Sequence, residues 1–261
     1  MKRTWYTMGL LAVALAANGQ AKQRSQLAQT WTGYFNQSRL SDRWGLWLEG
    51  QIRTQDDLLD GFSQSILRAG LTYYLADNTK MTAGYAFVNH FPGDNHPDVS
   101  QPEHRVWQHL QWHTKYRRLR TMQWFRLEER YRRRIAADGS LAAGFNFNYR
   151  MRYNFLVQLP LSAEVKKGSF SLLANNEAMV NFGKEVVTNY FDQNRAFIGA
   201  AYHLNAADNI QLGYLNVFQQ LATPGRYRTI HAARISFFHN LDLRKKKAVA
   251  ASMKPGLPSA G

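Results

Sequence analysis

The chain has no cysteine. Disulfides, thiolate metal centres, a cysteine nucleophile and a lipidated-cysteine anchor are therefore excluded, while the compartment stays open. Long apolar runs are also missing. No segment beyond Ala17 approaches the roughly eighteen consecutive apolar residues of a membrane helix. A phosphate-binding glycine loop, a dinucleotide fingerprint and a zincin motif are absent as well. Acidic residues are few, 18 Asp and Glu against 33 Lys and Arg, for a formal charge of +15 in 261 residues. What the chain does have is apolar and aromatic content, 45% and 13% of residues, enough for one or two soluble domains or for a single barrel.

The two ends account for much of the charge. Lys2 and Arg3 precede an apolar run, Met8 to Ala17, and small residues follow, so cleavage after Ala17 or Ala21 fits. This is the layout of a secretory signal peptide over residues 1–21, its core too short to lodge as a helix in a membrane. Residues 244–261, RKKKAVAASMKPGLPSAG, are basic and then rich in Ala, Ser, Pro and Gly, a composition that predicts a disordered tail. Subtracting Lys2 and Arg3 takes the charge from +15 to +13, and removing Arg244, Lys245, Lys246, Lys247 and Lys254 takes it to +8. Export argues against a nucleic-acid partner. Outer-membrane lipid and lipopolysaccharide phosphates suit the remaining charge better, and a chain inserted there would depend on the barrel-assembly machinery.

Between these ends the pattern has a period of two, the mark of β-strands. The longest case is Phe145 to Leu161, FNFNYRMRYNFLVQLPL, in which aromatic and aliphatic residues alternate with Asn148, Arg150, Arg152 and Asn154. A strand crossing lipid needs about nine to eleven residues, and this one exceeds that. Similar alternation marks Thr30 to Asn36, Trp44 to Arg53, Ile66 to Leu75, Met81 to Phe87, Glu103 to Tyr116 and Thr121 to Arg133. It continues through Phe170 to Phe182, Arg195 to Leu204, Ile210 to Gln220 and Ile230 to Leu241. Short and long links alternate between them, as in transmembrane barrels with tight periplasmic turns and longer external loops. The expectation is an all-β, antiparallel up-and-down transmembrane barrel over residues 30–243. Eleven strands are visible, whereas bacterial single-chain barrels have even counts. Residues 22–29 are thus either a polar leader, with the N-terminus threading the lumen, or a further strand that makes about twelve.

The segments RLEERYRRR (Arg126 to Arg134), NYRMRYNFLVQLPL (Asn148 to Leu161), FDQNRAFIGAAYHL (Phe191 to Leu204) and NIQLGY (Asn209 to Tyr214), with TWTGYFNQSRLSDRWGLWLEGQIR near the start, resemble the bacterial domain-of-unknown-function family 2490. The resemblance spans most of Trp31 to Leu241. It implies an exported, outer-membrane-like β-barrel of a Gram-negative bacterium, and it brings no catalytic residue. The tail after Leu241 departs from barrels that end on an aromatic residue.

In such a barrel the polar faces point inward. They collect Glu49, Arg53, Arg68, Glu103, Arg105, His109, His113, Arg126, Glu128, Arg130, Arg132, Arg150, Arg152, Glu177, Arg195 and Arg234. Arginine forked onto carboxylate is a structural device that fixes register and fills a small barrel. An arginine-lined, porin-like path would instead favour anions. The expected protein is therefore an outer-membrane barrel with a mainly structural arginine-rich lumen and a second role as a pore or binding site for small anions. An acyl hydrolase acting on lipid, with His109 or His113 as base, and loop-mediated binding of lipopolysaccharide or a protein are the alternatives. His109 and His113 lie about 13 Å apart along a strand, too far to share one ion, and no serine adjoins either. His90 and His96 flank Asp94 in a link, a cluster better read as solvated surface than as a metal site. No cofactor and no metal is expected, and the sequence does not address oligomeric state.

Overall fold

The computed structural model describes residues 23–56, 58–93 and 96–244; the expected signal peptide and all but the first residue of the expected tail lie outside these. Eleven strands form one closed barrel: β1 (Gln23–Arg39), β2 (Trp44–Thr54), β3 (Phe62–Ala76), β4 (Thr79–His90), β5 (Gln101–Tyr116), β6 (Leu119–Ile135), β7 (Leu141–Pro160), β8 (Phe170–Phe182), β9 (Phe191–His203), β10 (Asp208–Gln220) and β11 (Arg226–Asp242). Each strand pairs antiparallel with the next.

The closure differs from the expectation of about twelve antiparallel strands. In an up-and-down chain with an odd strand count the first and last strands run the same way, so the ring can close only through a parallel pair. β1 and β11 form that pair along their whole length, from Gln23 opposite Arg226 to Arg39 opposite Asp242. Residues 23–29 are the beginning of β1, not a strand of their own. Closure leaves no unpaired edge. It also places the start of β1 and the end of β11 at opposite ends of the barrel.

One end carries the tight turns 77–78 and 117–118; the other carries the longer links 55–61, 91–100 and 183–190. These are called the tight-turn end and the loop end. The alternation of link lengths is imperfect, since residues 161–169 belong to the tight-turn end and outnumber the five-residue links 136–140 and 221–225. In the 136–140 link Asp138 accepts bonds from the Ser140 amide (2.9 Å) and hydroxyl (2.7 Å), which hold its carboxyl below the usual carboxylate range.

Every strand exposes large apolar side chains on the outer face, among them Tyr34, Leu48, Leu67, Tyr85, Leu110 and Phe125 on β1 to β6. Met151, Leu172, Ile198, Leu212 and Ile235 continue the belt around β7 to β11. Outer aromatic rings meet near both ends. Tyr131–Phe147, Tyr149–Phe182 and Phe218–Tyr227 lie toward the loop end, with centroids 4.8, 5.2 and 5.4 Å apart. Trp44–Tyr73 and Phe170–Tyr202 lie toward the other, both 5.0 Å apart. One acidic residue, Glu129, shares this outer face, opposite Val106 and Tyr149.

Inside, the alternation leaves two kinds of surface. On β2 to β7 the inward side chains are largely polar, with the charged ones concentrated on β5 to β7 and a small apolar cluster at Trp47, Ala86 and Trp107. On β1 and β8 to β11 many are apolar: Leu27, Trp31, Leu173, Phe197, Leu215, Val217 and Ile230 form a buried cluster. Two glycine pairs make room for the largest rings. Gly70 faces Gly84, and a Cβ on Gly70 would meet Trp107 Cζ2 at 2.8 Å; Gly199 faces Gly213, and a Cβ on Gly199 would meet Phe197 Cζ at 2.6 Å. A Cβ on Gly84 would lie 2.0 Å from the Ala69 carbonyl oxygen, which is backbone and cannot rotate away. Gly84→Ala should thus lower stability by about 3 kcal/mol or more through overpacking. Gly50→Ala, whose Cβ would touch only Leu67 at 3.8 Å, should stay within about 0.5 kcal/mol. Urea midpoints of the two variants check the contrast.

Candidate functional site

The lumen is organised by two carboxylates. Glu128, on β6, has no exposed surface. Arg150 Nε donates to its Oε2 at 2.9 Å and Arg152 Nη1 to its Oε1 at 2.8 Å, while Arg68 and Arg105 stand at 3.4 and 3.8 Å. Glu103, on β5 and equally buried, accepts from Arg105 Nε (2.6 Å), Arg130 Nε (2.6 Å) and Arg132 Nε (2.9 Å), and its Oε2 lies 2.9 Å from His90 Nε2. The alternation of Arg130 and Arg132 with Glu128 on one inward face of β6 brings these groups together.

From this knot the ion pairs spread across the barrel. Arg68 also binds Glu49, which Trp47 Nε1 reaches at 3.1 Å. Arg150 Nη1 donates to Asp192 Oδ2 at 3.0 Å, and Arg152 Nε to Glu177 Oε1 at 2.7 Å; Arg195 lies 3.6 Å from Glu177. Removing charges from water is costly unless each is paired and its hydrogen-bonding capacity met. Arginine suits this because its planar fork serves two carboxylates at once, as Arg150 and Arg152 do here.

Three of the expected lumen arginines make no ion pair among the described residues. Arg126 donates through Nε and Nη2 to His109 Nδ1 at 3.1 and 2.9 Å, and its guanidinium stands 4.9 Å from both the Trp107 and Trp124 rings and 5.7 Å from Trp47. Arg53 lies 3.7 Å over the Trp31 ring. Arg234 stands 4.6 Å over Phe197 and donates to Ser236 Oγ at 3.3 Å. Cation–π contact replaces ion pairing at these positions.

Below the knot, on the tight-turn side, the lumen opens into a cup of about 850 Å³. Glu49, Arg126, Arg152, Glu177, Arg195 and Arg234 border it. Its wall is mixed. Phe35 (β1), Leu156 (β7), Leu215 (β10) and Phe238 (β11) supply apolar surface, interrupted by Gln37, Gln211 and Ser236; Gln51 (β2), Lys80 (β4), Gln111 and His113 (β5) supply polar surface, with Trp47 and Trp124 nearby in the lining. Lys80 donates to Gln37 Oε1 rather than to a carboxylate. Lys115 and Arg120 stand at the mouth.

Of the side chains expected inside, Arg105, Arg130 and Arg132 join Glu103; Arg68, Arg150 and Arg152 join Glu128; Arg195 joins Glu177. His109 belongs to the aromatic cage around Arg126. His113 lies in the cup, 2.7 Å from Gln111 Nε2 and apart from the ion pairs. Sequence reasoning missed Asp192 because residues 183–193 read as a link, whereas β9 begins at Phe191 and a register shift at Met179/Val180 leaves Asp192 and Gln193 both buried. It also missed the dominance of Glu103, since nothing in spacing told which carboxylate the arginines would choose. His90 turns inward to Glu103, and His96 stacks on it at 6.0 Å and pairs with Gln101; Asp94 lies outside the described residues. Among the described residues no three His, Asp or Glu side chains form a metal-binding group. One serine–histidine contact does exist, Ser171 Oγ 2.9 Å from His203 Nε2, but Gln158 also bonds Ser171, and the serine has no exposed surface through which an acyl carbonyl could reach it.

Fold and lumen together define a closed eleven-stranded β-barrel with a buried arginine–carboxylate interior. The chain belongs to the family described as "Protein of unknown function (DUF2490)", whose model matches residues 28–228. Neither the curated proteins nor the solved structures give a match.

The knot sets a stability contrast. Glu128→Ala leaves Arg68, Arg105, Arg150 and Arg152 facing one another without their shared counter-ion and should cost about 3–5 kcal/mol. Arg132→Ala removes a side chain 37% exposed from a carboxylate that keeps other partners, and should cost at most about 1 kcal/mol. Denaturant unfolding of both variants under the same conditions measures the difference.

Proposed function

We propose that this chain is an outer-membrane β-barrel protein of a Gram-negative bacterium. Its arginine-rich lumen is primarily structural, and it offers a small-anion site reached from the tight-turn end instead of a through-going pore. The observation that carries this reading is the position of the Glu103–Glu128 knot. It occupies the lumen toward the loop end and leaves Arg126, Arg234 and Lys80 without carboxylate partners in the cup beneath. Excess buried positive charge in a narrow, low-dielectric space attracts anions.

Several features support lipid as the outer solvent. An apolar belt this continuous would be an association hazard in water, whereas a hydrocarbon layer about 25 Å tall flanked by aromatic girdles is what outer-membrane barrels present. Eleven to twenty residues per strand are ample to cross it. The basic, apolar, small-residue order of residues 1–21 supports export. With one strand terminus at each end, the inserted barrel's first strand starts and its last strand ends on opposite sides of the bilayer.

Two outcomes follow. The mature protein should fractionate with outer membranes and require detergent for release; recovery as a folded, detergent-free periplasmic protein contradicts the location. Purified protein should give no sustained ohmic current in planar bilayers, yet bind inorganic phosphate saturably by titration calorimetry. Lys80→Gln combined with Arg234→Gln should weaken that binding at least tenfold. A steady anion current through the unsubstituted protein contradicts the blocked lumen.

A further inference from the structure

The cup has more apolar wall than a small anion can use. Phe35 and Phe238 stack with centroids 4.7 Å apart and planes 8° from parallel, and Leu156, Leu215 and Leu241 extend the surface. These residues come from β1, β7, β10 and β11. In the ring of strands, β10, β11 and β1 lie across from β4 and β5, which present Lys80, Gln111 and His113. The volume, about 850 Å³, falls within the roughly 300–1,000 Å³ of small-molecule sites.

Charge is placed at the inner end and at the mouth. Arg126 and Arg234 border the cup where it meets the knot, and neither is ion-paired among the described residues. Lys115 and Arg120 border the cup at the tight-turn end, as does Asp242, and Arg117 and Arg118 in the β5–β6 turn and Lys166 and Lys167 in the β7–β8 link lie at the same end of the barrel. Such a rim raises the local concentration of anions. Gln111 Oε1 and Asn154 Oδ1 are buried and meet no protein partner. Both residues border the cup, and as acceptors they take hydrogen bonds from water hydrating a bound head group, not from the anion itself.

Resting on the reading of the cup as an anion site, we propose that its ligand is a single-chain amphiphilic anion. The carboxylate or phosphate head lies against Arg126 and Arg234, and the acyl chain runs along Phe35, Phe238, Leu156 and Leu215. Neither half of the ligand suffices. A bare anion leaves the apolar wall wet, and an uncharged chain leaves the two arginines without an ion-pair partner. Each additional methylene buried against the wall should tighten binding about fourfold until the chain reaches the mouth.

The cup carries its own reporters, since Trp31, Trp47 and Trp124 line it. Full-length protein with Trp44 and Trp112 replaced by Phe, to silence two rings of the outer wall, is titrated with 11-bromoundecanoate while tryptophan emission is followed. Saturable quenching is expected, displaced by decanoate or decyl phosphate; the better competitor identifies which head the site takes. 11-bromoundecanol should bind at least tenfold more weakly. Arg234→Gln should weaken the acid at least tenfold and leave the alcohol unchanged, whereas Leu156→Gln should weaken both. Should a variant not fold, the series butyrate, hexanoate, octanoate and decanoate on the unsubstituted arginine and leucine still decides, by its rise in affinity per methylene. Non-saturating quenching shared equally by acid and alcohol is partition into detergent and overturns the proposal. Butyrate or inorganic phosphate binding as tightly as decanoate overturns it too, while leaving a small-anion site in place. If neither phosphate nor decanoate binds, the anion reading falls with it.

Discussion

The interior of this barrel depends on one electrostatic constraint: a carboxylate that has no contact with solvent must be compensated by charges brought to it, most of them buried as well. Glu128 meets it with Arg68, Arg105, Arg150 and Arg152, drawn from β3, β5 and β7. Glu103 meets it with three arginines and His90. Because those partners lie on different strands, the pairs fix the register of nearly half the ring as well as its contents. Breaking one partner strands the others, so the network behaves as a unit.

Geometry then divides the lumen. An eleven-stranded ring is wider than the eight-stranded barrels whose side chains just fill them, and narrower than the porins that hold a water channel. Here the charged knot fills one half and the cup remains in the other. The odd strand number is equally consequential. It forces the parallel β1–β11 seam and puts the chain's two strand termini on opposite sides. The apolar inner cluster gathers along that seam, on β1 and β8 to β11, and reaches the cup through Trp31 and Leu215.

Much of this was legible in the sequence. Period-two alternation located all eleven strands and assigned inward and outward faces along β2 to β8, because a strand with one apolar and one polar face carries that contrast at every second residue. Phe145 to Leu161 is the clearest case. What stayed hidden was long-range. The seam could not be read because pairing between β1 and β11 leaves no local mark, and residues 23–29 carry the alternation only weakly, with Leu27 among Gln, Ser and Arg. The expectation of about twelve strands came from an even-number rule that a parallel closure does not obey. The arginine-rich faces were visible, but not the choice of Glu103 and Asp192 as partners, which register and a bulge decide. Nor was the cup, since Leu215 and Phe238 become one wall only when β10 and β11 curve round to β1.

The central claim is that the lumen is closed at the loop end and open at the other. The absence of native cysteine makes single-cysteine labelling a direct measure. Gln211→Cys in the cup, Lys166→Cys at the tight-turn end and Asp138→Cys at the loop end are reconstituted separately into vesicles and exposed to an external, membrane-impermeant thiol reagent. The account predicts that the labelled fraction at position 211 matches that at 166 and complements that at 138. Complete labelling at 211 from outside, whatever the orientation of the barrel, would show a lumen open at both ends and contradict it.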